Sequence, residues 1–409
     1  MKVLFIVTAY PRHEGDVITP WMGETIDRLK QTGIDVEVLA PSYKGSGTQI
    51  VRDVKVHRFR YAPAELETLT HDVPAMDRIR KSPLMASLLP GYIAAGSAAA
   101  ARVAREGNFD VVHAFWPIPH GLFGLAARSA SQSALVSTFF SSELNWQGAS
   151  RKIFGPMLQR IVENSDAVTV ISTFTGERLR EFVPGAQSVI IPFGAAAGDD
   201  FGTSYAPTAS RSRTAPFNLL FVGRLVRRKG VDVLLNAVAQ LSDDPRLHVH
   251  VVGEGPEKKA LIAESTRLGV DNRVTFEGGV SAERIKDFFG SCDALVLPAI
   301  VTESGETEGL GVVLLEAMGY HKPVIASSAG GITDIVVDGK TGLLSPPGDA
   351  AGLARTISTA MDDPSRMALL AEQGFSHAKG EFGWDTIVSR LTNTYHAAIQ
   401  NRTGAKQAF

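Results

Sequence analysis

The chain is predicted to be α/β, with two doubly wound domains facing across a cleft, and three observations carry that prediction. Its 409 residues exceed what one ordinary core holds and suit two domains of about 200 residues. Short aliphatic runs alternate with helical stretches in both halves, the pattern of parallel strands joined by helical crossovers. Between the halves, 198–216 is rich in Gly, Ala, Ser, Thr and Pro without periodicity, as a linker would be. The expected division is 1–197, linker 198–216, a second domain over 217–383, and a last helical segment, 384–409.

In the first half, strands are expected at Lys2–Val7, Asp35–Leu39, Val111–His113, Ala134–Thr138, Ala167–Ile171 and Ser188–Ile191, with an antiparallel pair near Ile50–Phe59. Helices are expected at Trp21–Gln31, Ala86–Arg105, Gly121–Ser131, Arg151–Asn164 and Phe174–Phe182. In the second half, strands fall at Asn218–Val222, His248–Val252, Arg273–Phe276, Ala294–Leu297, Val324–Ala326 and Gly342–Ser345. Helices follow at Val231–Leu241, Glu257–Leu268, Ala282–Gly290, Leu310–Tyr320, Ile332–Val337 and Ala350–Met361, and Ser365–Lys379 and Thr386–Gln400 close the chain. In such sheets ligands bind outside the carboxyl ends of the strands.

Composition excludes several classes. A net charge of -2 and the lack of a dominant basic tract argue against nucleic acid as a partner. A lone Cys292 rules out a disulfide framework and fits a reducing, cytoplasmic compartment; beside Asp293–Pro298 it is a small core residue at a strand entry. Met1–Val7 is a first buried strand rather than a leader, and no run is expected to reach transmembrane length. Arg78-Ile79-Arg80-Lys81, followed by Leu84, Met85, Leu88 and Leu89, leaves open a peripheral contact with the inner face of a membrane.

The chemistry centres on Glu308-Gly309-Leu310-Gly311-Val312-Val313-Leu314-Leu315-Glu316. This is a helix start with two glycines in its first turn, a carboxylate at its mouth and a second carboxylate inside an apolar run. If helical, the interval puts Glu308 and Glu316 roughly 12 Å apart at 1.5 Å per residue. That spans a sugar, a diphosphate and a ribose, with the free amides around Gly309–Gly311 facing the phosphates. Glu316 needs hydrogen-bond donors to offset its burial. Opposite, Gly223-Arg224-Leu225-Val226-Arg227-Arg228-Lys229-Gly230 follows the first strand of the second domain. Arg224 and Lys229 are expected at the strand's carboxyl end, with Arg227 and Arg228 on the solvated surface. Two nucleotide signatures fail: Gly253-Glu254-Gly255 lacks a third glycine, and Asp334 stands where a P-loop before Asp338-Gly339-Lys340-Thr341 needs its first. No Asp-x-Asp pair occurs to clamp a divalent ion, so no metal and no cofactor are expected.

With Gly253-Glu254-Gly255-Pro256, Phe276-Glu277-Gly278-Gly279-Val280 and Ala329-Gly330-Gly331-Ile332-Thr333-Asp334, these motifs resemble, in order, the family 4 retaining glycosyltransferases of the GT-B fold, two Rossmann-like domains. The resemblance implies transfer of a sugar from a nucleoside-diphosphate sugar to a hydroxyl of a sugar, lipid-linked or small-molecule acceptor, by front-face displacement without metal. It assigns Arg224 and Lys229 to the diphosphate and Glu308, with Gly309, Leu310 and Gly311, to the donor sugar. Glu316 takes the ribose and Val280 the base; Glu308, Arg224 and Lys229 form the catalytic set.

The first domain resembles the family more loosely. Tyr10–Asp16 stands at its glycine-bearing loop with only Gly15 available, and Asp110–Ala114 resembles its strand ending in His113. Thr138–Glu143 resembles its Thr-Phe-His-Gly-x-Glu segment, with Phe140 at the His and Ser141 at the Gly. Gly15, His113, Phe140 and Glu143 are thus the acceptor-side candidates, with His113 read more readily as a strand-end residue satisfied by backbone than as a catalytic part. A 2-epimerase, a phosphorylase-like relative and a sugar-nucleotide binder without catalysis are the competing readings. The resemblance also implies that the final segment crosses back to the first domain and that diphosphate draws the two domains together.

Overall fold

The computed structural model describes residues 1–16, 18–71, 75–145, 148–194 and 214–407. Most of the expected linker therefore lies outside the described residues. The chain divides into two compact units: Met1–Ile171 with Thr175–Pro192 and Ile387–Phe409, and Ser172–Phe174 with Phe193–Thr386. The closing helix, Trp384–Gln407, starts in the second unit and continues from Ile387 as part of the first.

Strands of the first unit are β1 (Lys2–Ile6), β2 (Asp35–Pro41), β3 (Gln49–Val51), β4 (Val54–Phe59), β5 (Val111–Phe115), β6 (Ala134–Phe139), β7 (Ala167–Val170) and β8 (Val189–Ile190). They form one sheet in the order β3-β4-β2-β1-β5-β6-β7-β8, parallel except for the β3–β4 hairpin. The order reverses at β1, between β2 and β5, and crossovers on both faces bury β1, β5 and β6. That is why those segments are near-continuous apolar runs.

Strands of the second unit are β9 (Phe217–Val222), β10 (Leu247–Val252), β11 (Val274–Gly278), β12 (Ala294–Leu297), β13 (Val324–Ser327) and β14 (Leu343–Ser345), all parallel in the order β11-β10-β9-β12-β13-β14. Here the order reverses at β9, so the loop carrying Arg224 and Lys229 leaves the sheet at its topological switch point. Cys292 is buried at the entry to β12, and burial pushes its thiol up to about 12.

Two expectations need correction. A helix long and apolar enough, by length and composition, to cross a membrane does occur: Pro83–Gly107. A 3-10 segment, Pro83–Leu88, runs directly into helix Leu89–Gly107, and charge appears only from Arg102 onward. Its inner side carries Tyr92, Gly96, Ala99, Ala100, Val103 and Ala104 into the unit's core. A β-carbon on Gly96 would meet the Phe123 ring at 2.3 Å, so this helix packs closely. The second correction concerns Glu308–Gly311, which precedes the helix instead of opening it. The helix is Val312–Gly319, and Gly311 caps it with φ 94°, a left-handed conformation that cannot continue a right-handed turn.

Candidate active site

In the second unit, glycines interlock the loops that leave β9, β10 and β11. The Gly223 N–H donates to the Val252 carbonyl at 3.0 Å, and the Gly253 N–H to the Gly278 carbonyl at 2.8 Å. A β-carbon on Gly253 would lie 1.9 Å from the Gly223 oxygen, and one on Gly255 would lie 2.2 Å from that of Leu225. Only glycine permits backbone contacts this close. Half-buried Val280 follows at the end of β11, beside Gly279, whose N–H donates to Glu254 at 3.2 Å.

The β9 loop tightens into the 3-10 turn Arg227–Lys229 and ends at Gly230 with φ 68°, the N-cap of helix Val231–Gln240. A β-carbon on Gly230 would come within 1.9 Å of the Pro298 oxygen, just past β12. This seating brings Lys229 to the Glu308 loop. Its ammonium lies 2.6 Å from Glu308 Oε2, and both side chains are only 13% exposed. Two groups assigned to successive parts of a donor are therefore partners of each other. Lys229 also acts on Glu316, which is half-buried one helical stretch further on. Burial pushes the Glu316 carboxyl up to about 7, and the nearby Lys229 charge works against that rise. One cation thus serves two carboxylates.

The loop bearing Glu308 is held from behind. The Gly331 N–H donates to the Glu308 carbonyl at 3.0 Å, and Leu310 is buried as an anchor. Gly330 and Gly331 lie where β-carbons would meet the Glu308 and Gly309 oxygens at 2.0 and 2.1 Å. Gly309, Leu310 and Gly311 therefore sit between this wall and the start of helix Val312–Gly319. Arg224 is exposed and makes no ion pair among the described residues. Arg227 pairs with Asp232 at 2.8 Å on the surface. Among the described residues no group of three or more His, Cys, Asp and Glu side chains could hold a metal ion.

The pH dependence follows from Glu316. A carboxyl whose pKa is raised from 4.5 to about 7 on folding contributes stability that is full below 4.5 and lost as pH rises through about 7. The corresponding change is on the order of 3 kcal/mol. Glu316→Gln should flatten the melting temperature between pH 5 and 8, measured by calorimetry. An unchanged slope would mean that Glu316 is not the buried acid. Glu143 shifts in the same direction and adds to the slope, while His113 and His120, both pushed down by burial, oppose it below about pH 6.5.

In the first unit the structure joins Phe140 to Glu143 and gives Gly15 and His113 different surroundings. Gly15 lies on an exposed turn, and a β-carbon there would make only ordinary contact with the His13 ring, at 3.7 Å, so glycine is not sterically required. His113 is fully buried. Its Nδ1 is 2.9 Å from the Tyr395 hydroxyl and its Nε2 2.6 Å from Thr138 Oγ1, and burial pushes it down to about 3. It is a neutral tie between β5, β6 and the closing helix, not a group presented to a ligand. The same helix is fixed by Asn401 to the Asp166 carbonyl at 2.9 Å and by Arg402 to that of Arg128 at 3.1 Å. Glu143 is buried and accepts the Phe140 N–H at 2.8 Å, and burial pushes its carboxyl up to about 7. Phe140 stacks on Trp116, a residue that sequence reasoning passed over; a Trp between a buried strand and a proline was the available signal.

Comparison with known proteins bears on both units. Residues 207–377 match the model of the glycosyl transferases group 1, and residues 21–199 that of Glycosyltransferase Family 4. A D-inositol 3-phosphate glycosyltransferase of Streptomyces avermitilis is 31% identical over 320 residues, covering 72% of this chain and 67% of that protein. A GDP-mannose-dependent alpha-(1-6)-phosphatidylinositol monomannoside mannosyltransferase of Mycolicibacterium smegmatis is 29% identical over 316 residues, 75% of this chain and 80% of the relative. Among solved structures, a sucrose-phosphate synthase from Thermosynechococcus elongatus superposes with a TM-score of 0.73 at 23% identity, over 97% of this chain and 98% of that one.

Proposed function

Because the chain belongs to glycosyltransferase family 4, sugar-transferring enzymes of the GT-B fold, we propose that it moves a sugar, with retention of anomeric configuration and without metal, from a nucleoside diphosphate to an acceptor hydroxyl. The observation that carries this reading is Lys229 held between Glu308 and Glu316 at the switch point of the second sheet. When donor arrives, its diphosphate takes the ammonium from Glu308. That frees the Glu308 carboxylate to accept hydrogen bonds from donor-sugar hydroxyls. Arg224, exposed on the same loop, adds a second cation, and the Gly309–Gly311 backbone lies beside the phosphates. Glu316 accepts from the ribose hydroxyls and Val280 packs on the base.

In the reaction the acceptor oxygen attacks the anomeric carbon on the face from which the diphosphate departs. The bond from that carbon to the phosphate oxygen breaks, and the leaving phosphate oxygen takes the acceptor proton. Stabilising charge on the leaving group is the main demand of such a step. Lys229 and Arg224 meet it from the protein. The acceptor's side is assigned to the first unit's loops around Phe140. Exposed Lys81, just ahead of the apolar helix, and exposed Leu84, in its first turn, support contact with the inner face of a membrane when the acceptor is lipid-linked.

A thermal-shift panel of nucleotide sugars, followed by acceptor-dependent release of nucleoside diphosphate, tests the reading. Binding with no acceptor-dependent release would make the protein a binder rather than a transferase. The anomer of the product, read by NMR coupling, decides retention. Turnover is expected to persist in excess EDTA. Activity lost to EDTA and restored by magnesium or manganese would overturn metal independence.

A further inference from the structure

At the carboxyl edge of the first unit's sheet lies an aromatic cluster that the donor chemistry leaves unused. Three loops build it, each through a residue other than glycine in left-handed backbone. These are Thr19 ahead of helix Pro20–Gln31, Trp116 after β5 and Ser141 after β6, with φ of 46°, 52° and 81°. That conformation is uncommon for any residue with a β-carbon and a clear outlier for one as bulky as Trp. Strain of this kind persists where the surroundings over-determine it, and it clusters at ligand sites.

Here it places three rings together. The Phe140 ring stacks on the Trp116 indole with centroids 4.3 Å apart and planes 21° from parallel. Trp21 meets Trp116 edge-on at 6.0 Å and 65°. Phe140 is buried and backs the stack, while both indoles are half-buried. The support is rigid as well. His120 Nδ1 lies 2.9 Å from the Phe115 carbonyl and 3.2 Å from that of Trp116, and Glu143 pins the Phe140 N–H.

An indole face is electron-rich and attracts the slightly positive edge of a group laid on it. Rings of sugars and cyclitols carry axial C–H bonds on one face and hydroxyls around the rim, so one such ring can both cover an indole and project a hydroxyl from its edge. An open-chain polyol has the same hydroxyls but no preformed apolar face. Ligands of open α/β sheets bind outside the carboxyl ends of the strands, which is where this corner lies.

We propose that Trp116, backed by Phe140 and flanked by Trp21, is the stacking platform for the acceptor and selects an alicyclic polyol ring, a pyranose or a cyclitol. This deepens the transferase reading above and rests on it. The platform determines specificity and does not touch the reacting atoms.

The test is a tryptophan-emission titration with the methyl α-pyranosides of glucose, mannose and galactose, with myo-inositol, and with sorbitol as the open-chain control. It is run on the parent, Trp21→Phe and Trp116→Asn. Asparagine tolerates the left-handed backbone, so the last variant removes the platform without demanding a new loop. At least one ring compound is expected to give a saturable change that sorbitol does not. Trp116→Asn is expected to weaken that binding at least tenfold, and Trp21→Phe severalfold. With the ring compound as acceptor, its KM should rise at least tenfold in Trp116→Asn while calorimetric affinity for nucleoside diphosphate stays within twofold.

No response to any ring compound, an equal response to sorbitol, or parental affinity in Trp116→Asn would each overturn the platform. Failure of the transferase reading looks different: the parent then releases no nucleoside diphosphate from a nucleotide sugar when the ring compound it binds is added.

Discussion

Lys229→Ala is expected to lower kcat/KM by about two to three orders of magnitude while circular dichroism and a single cooperative melt remain. Removing one positioned donor from a developing negative charge typically has that effect, because the site was organised before the reaction began. Here the loss acts twice. On the proposed reading the departing diphosphate loses its half-buried cation, and Glu308 and Glu316 lose the charge that faces both. Glu316 should then titrate still higher than in the parent, since Lys229 is what opposes the effect of its burial. Lys229→Arg is expected to recover part of the turnover, as a longer fork reaching the same region. Kinetics over pH 6–9 on the three proteins, with calorimetric affinity for nucleoside diphosphate, check this. Parental turnover in Lys229→Ala would remove the donor assignment.

Gly331→Ala should reduce turnover about a hundredfold, through backbone and without touching a charged group. Its new β-carbon would lie 2.1 Å from the Gly309 carbonyl oxygen, and neither partner is a flexible side-chain end. The Glu308 loop must move, and a displacement near 1 Å is enough for a loss of about 10²-fold. Overpacking of this kind also costs about 1–3 kcal/mol of stability. Gly330→Ala adds left-handed backbone to the clash, with φ 57° and a 2.0 Å approach to the Glu308 oxygen, and should be worse. Gly380→Ala is the control in the same unit: it sits within helix Pro364–Phe382 with open space around it and should be neutral or stabilising by about 0.5–1 kcal/mol. If Gly331→Ala melts and turns over like Gly380→Ala, the wall behind Glu308 does not hold the loop.

Much of this site is legible in the chain itself. Arg224 and Lys229 follow an aliphatic strand and precede a helix, so the end of the sheet they occupy follows from local pattern. Glu316 stands out as a carboxylate in an apolar run, and its raised pKa is the same fact expressed as energy. The helix start near Gly311 was less legible, because an apolar run beginning with two nearby glycines does not say which of them, Gly309 or Gly311, takes positive φ and caps the helix. Nor does an aliphatic alternation disclose that Pro83–Leu88 continues into the next helix and lengthens an apolar run.

The sequence alone determined the two α/β halves, the order of their elements and the residue types available to a diphosphate. These follow from periodicity and composition within windows of a few residues, where burial on one or both faces leaves a direct trace. The tertiary structure decided which distant groups meet. It closed Lys229 onto Glu308 and set the Gly330–Gly331 wall behind that loop. It also took His113 out of consideration through a tyrosine 282 residues away, and gathered Trp21 from a helix start and Trp116 and Phe140 from two loops. Such contacts leave no local periodicity, because their energy depends on the packing of whole sheets and helices and not on neighbours along the chain.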